Sequence, residues 1–155
     1  MLCADRVYRH MVRMVGVQHA ADVTQQVFLR VFEKINTFRG LARFETWLFR
    51  LAANEAYQYL RREKRWKHRP LELEPADQRS SHTDSEESKQ LLEDAIGQLD
   101  VELRSIFLLR EVEGLSYQEI AEVLKVPEGT VASRLNRARR ELRTLLSDLG
   151  WELPQ

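Results

Sequence analysis

The chain has one cysteine, Cys3, in 155 residues, so it can close no disulfide on itself. That suits a reducing compartment. Glycine (6) and proline (4) are scarce, which argues against a turn-rich β architecture. Apolar runs are only a few residues long, far short of a membrane span. The first turns carry Asp5, Arg6, Arg9 and Arg13 and hold no apolar signal core. The cytoplasm is therefore the expected location, with no membrane insertion. His10, His19, His68 and His82 are scattered, and one thiol completes no zinc set of usual spacing. No phosphate-cradling glycine loop or nucleophile elbow occurs. No catalytic residue, metal or cofactor is expected, and the chain does not read as an enzyme.

The formal net charge is zero, yet charge is unevenly distributed. Residues 1–69 hold fourteen Lys and Arg against six Asp and Glu, a net +8. Residues 70–113 hold four against twelve, a net −8, and residues 114–155 balance. A basic N-terminal half suits a polyanionic partner, although solvated helix faces give the same count.

Apolar spacing predicts helices throughout. Val7, Met11, Met14 and Val15 share one face. Val23, Val27, Phe28, Val31, Phe32 and Ile35 form a wide stripe at helical spacing. A third helix is expected from about Phe44 to about Arg65, separated from the second by Gly40. Residues 70–88 (PLELEPADQRSSHTDSEES) are polar and acidic, with too little apolar area to offset ordering entropy, and read as a linker. Beyond them Leu91, Leu92, Ala95, Ile96 and Leu99 give another helix. Asp100 is placed as the cap of the next, which Gly114 stops. No segment alternates like a strand. The expected fold is all-α: two small helical domains, 1–69 and 89–150, joined by an acidic flexible linker, 70–88.

The C-terminal part carries the strongest local pattern. Ser116 and Glu119 make a capping box before a short helix, 126–129 (VPEG) make a turn, and Thr130 is expected to cap a longer helix. That is a helix-turn-helix if the second helix exposes a basic face. Its face holds Ser133, Arg134, Asn136, Arg137, Arg140 and Arg143. Arg can fork onto guanine and Asn can pair with adenine; the same side chains can also grip phosphates without reading sequence. Lys125 occupies a turn position where glycine would relieve a left-handed backbone.

The third helix interleaves Phe44, Trp47, Phe49, Tyr57 and Tyr59 with Arg50, Arg61 and Arg62, then enters 61–69 (RREKRWKHR), six of whose nine residues are basic. Rings beside cations suit melted DNA, whose bases stack while Arg and Lys neutralise phosphates. Phe44 and Trp47 also lie on the apolar stripe and fit a core.

Three stretches, 21–40 (ADVTQQVFLRVFEKINTFRG), 44–62 (FETWLFRLAANEAYQYLRR) and 114–142 (GLSYQEIAEVLKVPEGTVASRLNRARREL), resemble the two domains of extracytoplasmic-function (ECF) sigma factors, in the same order and with an acidic linker between. The resemblance covers nearly the whole chain. It implies that residues 1–69 contact core RNA polymerase through Asp22, Gln25, Gln26, Phe28 and Arg30. It implies that the loop 38–44 captures a flipped base of the promoter's −10 element, with Arg39, Phe44, Thr46, Trp47, Arg50, Asn54, Gln58, Arg61 and Arg62 against that DNA. The helix-turn-helix would read the −35 element through Thr130, Ser133, Arg134, Asn136 and Arg137. An anti-sigma factor is an implied partner, beside core polymerase and promoter DNA. Family members have a further helix before the first one here, which this chain is expected to lack. They also carry an acidic residue where Gln26 stands, an Asp at Gln58 and a Lys at Ala132, so one phosphate contact is expected to be missing. The alternative reading is a free-standing helix-turn-helix transcriptional regulator whose N-terminal half senses a ligand or dimerises. Such a sensor would not need the basic, aromatic segment 44–69.

Overall fold

Helix α1 (Cys3–Val15) turns Val7, Met11, Met14 and Val15 inward, the face its apolar spacing predicts. The computed structural model to which it belongs describes residues 3–66 and 84–151. Most of the predicted linker and the end of the basic run, residues 67–69, lie outside the described residues. After α1 come α2 (Val17–Lys34), a short 3-10 turn (Ile35–Thr37) and α3 (Phe44–Trp66). The second half consists of α4 (Asp84–Gln98), α5 (Val101–Glu111), α6 (Tyr117–Leu124) and α7 (Glu128–Asp148). Among the described residues no strand occurs.

Helix α4 begins at Asp84, so 84–88, assigned from the sequence to the linker, are helical. Their acidic side chains favour the positive end of the helix dipole. Gly40 sits between α2 and α3 at φ 71°, a left-handed backbone that any Cβ would strain. Asp100 stands at the cap position of α5, but its side chain makes no capping bond.

In the first half α1, α2 and α3 pack on one another; in the second α5, α6 and α4 pack on α7. The halves also touch: α3 lies on α6, and α1 on α4 and α5. Buried side chains therefore run continuously from Met11, Val27 and Phe49 through Ile106, Leu109 and Ile120 to Leu135 and Ala138. Burying each large apolar side chain contributes about 1.5–3 kcal/mol before entropy is counted. The apolar stripe of α2 is narrower than its sequence suggests. Val23 and Val27 are buried, whereas Phe32 is 79% exposed and Ile35 also faces solvent.

Polar groups stitch the seam between the halves. Arg104 of α5, 5% exposed, donates to the carbonyls of Met14 (2.8 Å), Leu99 (3.0 Å) and Gly97 (3.2 Å). It thereby caps the ends of α1 and α4 together. Arg6 pairs with Glu113 at 2.9 Å, Arg13 with Glu93 at 3.0 Å, and Arg43 with Glu119 at 3.0 Å. His10 is buried at the same seam, edge-on to Phe49, with Nδ1 3.8 Å from Glu113. That distance is too long for a hydrogen bond, and Arg6 already holds the carboxylate. Burial, helped by nearby Arg13, therefore prevails and pushes the imidazole down to about 4.

Candidate nucleic-acid interface

The helix-turn-helix is built as its sequence dictates. Ser116 Oγ accepts from the Glu119 backbone N–H at 3.1 Å, and Glu119 Oε2 accepts from the Ser116 N–H at 2.8 Å. Lys125 closes α6 in the left-handed conformation, φ 54° and ψ 48°. The cap of α7 is Pro127, not Thr130: the helix starts three residues earlier than expected, and the Thr130 N–H donates to the Pro127 carbonyl. Proline fits there because its φ is preset and a cap residue needs no helical donor. Thr130 is half-buried in the first turn.

Val131, Leu135, Ala138 and Leu142 hold α7 to the core, so its other side faces solvent. Ser133, Asn136, Arg137, Arg140 and Arg143 are exposed. Ser133 donates to the Thr130 carbonyl. Arg137 pairs with Glu141 one turn on, at 2.9 Å. Arg134 is only half-exposed and pairs with Glu102 at 3.5 Å. These pairs are weak enough at the surface to exchange for phosphate or base contacts.

Helix α3 carries a second polar face. Arg50, Asn54, Gln58 and Arg61 recur every three or four residues and are all exposed, while Leu48, Phe49, Ala52 and Ala56 on the opposite side are buried. At its start Phe38, Phe44 and Trp47 form a ring cluster with centroids 5.3–5.8 Å apart. Trp47 and Phe44 are half-buried in it, and Arg39 and Leu41 beside it are exposed, Leu41 at 94%. Thr46 stands apart from the exposed set. It is 3% exposed and donates to Glu119 Oε1 of α6 at 3.3 Å.

Asp22, Gln25 and Gln26 of α2 line one groove with Glu55, Tyr59 and Arg62 of α3, so Arg62 faces this groove. Arg30 grips Glu55 at 3.0 Å and Glu33 at 2.9 Å, and both bonds raise its pKa above the ordinary guanidinium value. Phe28 is half-buried against the core. The sequence reading missed Leu29, which is 48% exposed. It lies seven residues after Asp22, on the same helical face, so the spacing could have shown it. It also missed Arg43, whose partner is 76 positions away and leaves no local pattern.

Residues 2–66 match the family model for sigma-70 region 2, and residues 89–142 match that for sigma-70 region 4. The chain is 34% identical to the ECF RNA polymerase sigma-E factor of Haemophilus influenzae, over 94% of this chain and 84% of that one. It is 30% identical to the ECF RNA polymerase sigma factor SigW of Bacillus subtilis, over 94% and 85%. It is 36% identical to the ECF RNA polymerase sigma factor SigE of Mycolicibacterium smegmatis, covering 98% of this chain but only 62% of that relative. Among solved structures, the fold is similar to the sigma factor RpoE in complex with the anti-sigma factor NepR from Bartonella quintana. The TM-score is 0.75 at 23% identity, over 93% of this chain and 91% of that one. It is also similar to CnrH in complex with the cytosolic domain of CnrY, with a TM-score of 0.66 at 23% identity, over 93% and 82%.

Proposed function

The chain belongs to the ECF RNA polymerase sigma factors, and from that premise we propose that it binds core RNA polymerase and brings it to promoters by reading two DNA elements with its two helical halves. Residues 1–69 are the polymerase and −10 half, 70–88 the connection, and 89–150 the −35 half. The observation that carries this reading is the pair of exposed polar faces. One runs along α3 through Arg50, Asn54, Gln58 and Arg61, and the other along α7 through Ser133, Asn136 and Arg137. Each lies in a segment matched by a sigma-70 region.

In this reading Asp22, Gln25, Gln26 and Arg30 meet the polymerase along the α2 groove, with Phe28 supporting them from the core. Bases released from the duplex stack near Phe44 and Trp47, while Arg39, Arg61 and Arg62 neutralise phosphates. Thr46 joins that contact once α6 moves off it. Arg134 and Arg137 fork onto base edges of the −35 element, with Thr130, Ser133 and Asn136 beside them. The protein works in the cytoplasm by binding, with no reaction of its own. An anti-sigma factor is proposed as a partner, since the RpoE relative was captured with one.

Mixing the protein with bacterial core polymerase and transcribing a random-promoter library tests this. Discrete, protein-dependent transcripts sharing two spaced elements are expected, and Arg134→Ala with Arg137→Ala should weaken the upstream element alone. If no transcript forms and the protein does not co-migrate with core, the reading fails.

A further inference from the structure

Leu41 is the most exposed large apolar side chain among the described residues, at 94%. A lone exposed leucine is ordinary on a protein surface. This one is held out by a loop that is pinned at both ends. The Phe38 N–H donates to the Ile35 carbonyl at 3.2 Å and closes the 3-10 turn before the loop. The Trp47 N–H donates to the Arg43 carbonyl at 3.1 Å and opens α3 after it. Between these ends the Phe38 and Phe44 rings meet edge to face, with centroids 5.7 Å apart. Phe38, Ala42 and Phe44 are half-buried, and Gly40, at φ 71°, bends the chain just before Leu41. An apolar side chain on a loop already pinned loses little entropy when a partner covers it.

The surroundings suit a polyanion that also has apolar surfaces. Residues 39–43 (RGLAR) place a cation on each side of the leucine and hold no carboxylate. Arg39 is exposed and makes no ion pair among the described residues. A base step of DNA offers apolar base faces and anionic phosphates within one contact. Beside the loop, the rings of Phe38, Phe44 and Trp47 give a displaced base something to stack on. Leucine carries no hydrogen-bonding group, so it can replace a stacking contact but cannot read a base edge.

We propose that Leu41 is an apolar wedge, which enters the base stack of the −10 element and fills the space left by the flipped base, whatever that base is. The proposal rests on the promoter-reading assignment above. Unstacking a base step is unfavourable, and an apolar side chain laid against the uncovered neighbour offsets part of that loss. Arg39 neutralises the adjoining phosphate while the ring cluster receives the base. Continuity with the exposed polar face of α3, at Arg50, Asn54 and Gln58, favours DNA over an anionic lipid surface as the partner of this tip.

Leu41→Ser removes the wedge, and Leu41→Met keeps its apolar bulk. The side chain lies almost wholly in water, so thermal melts of both variants should match wild type. Each protein is assembled with bacterial core polymerase, and promoter opening is followed with a fluorescent base analogue at the flipped position. Leu41→Ser should slow opening roughly tenfold, as expected for one leucine left uncovered. The factor should be the same for every base at that position. Leu41→Met should open DNA at nearly the wild-type rate, and neither variant should lose affinity for core polymerase. On a promoter that carries a pre-opened mismatched bubble, the defect of Leu41→Ser should vanish. Opening at the wild-type rate in Leu41→Ser overturns the proposal. So does a defect confined to one base identity, a defect that persists on the bubble, or weakened binding of core polymerase. Loss of binding to anionic vesicles with opening intact would overturn it too, and would assign the tip to a lipid surface. Wild type that yields no protein-dependent transcript with core polymerase defeats the promoter-reading assignment and the wedge with it, whereas the other outcomes defeat the wedge alone.

Discussion

The guanidinium of Arg104 donates to the main-chain carbonyl of Met14 at 2.8 Å, across 90 positions of sequence and from a site 5% exposed. Burial alone lowers the pKa of this group from its ordinary value, so its neighbours must supply compensating acceptors. Nη1 and Nη2 find them in three carbonyls at two helix ends, while Nε is buried without a partner. Arg104→Ala strands those carbonyls and should cost about 3 kcal/mol. Urea unfolding should show the midpoint falling by roughly 1–2 M. Arg104→Lys keeps a charge but not the fork and should fall between.

His10 makes stability depend on acidity. The folded protein holds the imidazole at about 4, whereas the unfolded chain binds its proton near the ordinary 6.5. Between these values the unfolded state carries more protons, so stability falls as pH falls. The contribution is complete above about pH 6.5 and lost by about pH 4, amounting to about 3 kcal/mol. The groups facing His10 are Arg13 on its own helix, Glu113 from the turn after α5, and the Phe49 ring of α3. His10→Phe should flatten the stability profile across that window. An unchanged slope would assign the acid sensitivity to carboxylates elsewhere.

The two ends of α6 should respond in opposite directions. Ser116→Ala removes the capping acceptor and should cost about 1 kcal/mol. Lys125→Gly relieves a left-handed residue and should add roughly 0.5–1 kcal/mol. Thermal melts of the two variants, compared with wild type, give both signs.

Arg61 and Arg62 are exposed and should act on DNA through charge. Replacing either by Ala should weaken binding uniformly across sequences. The slope of log affinity against log salt should shrink by about 0.7–0.9 per lost contact. Arg137→Ala should instead relax the sequence preference of the upstream element. Equal loss on every sequence would place Arg137 on the phosphates.

The sequence reads well wherever structure is local. The capping box at Ser116 and Glu119, the break at Gly40 and the left-handed Lys125 follow from side-chain chemistry within a few residues. The exposed stripe of α3 follows from helical spacing. A hydroxyl residue favours a cap, which points to Thr130, but Pro127 fills that place three residues upstream. Phe32 belongs to the apolar stripe of α2 yet is exposed, because periodicity reports hydrophobicity but not whether a neighbour exists to cover it. The seam was out of reach. Arg6 and Glu113 are 107 positions apart, and a partner chosen over that distance leaves no mark on the residues around either one.

Glu119 divides its two oxygens between different tasks: Oε2 completes the cap of α6, and Oε1 takes Arg43 and Thr46. The cap therefore does not depend on what Oε1 holds: loss of Arg43 or Thr46 leaves the Ser116 N–H satisfied. The first turn of the helix-turn-helix is built from its own residues and stays formed whatever lies against it.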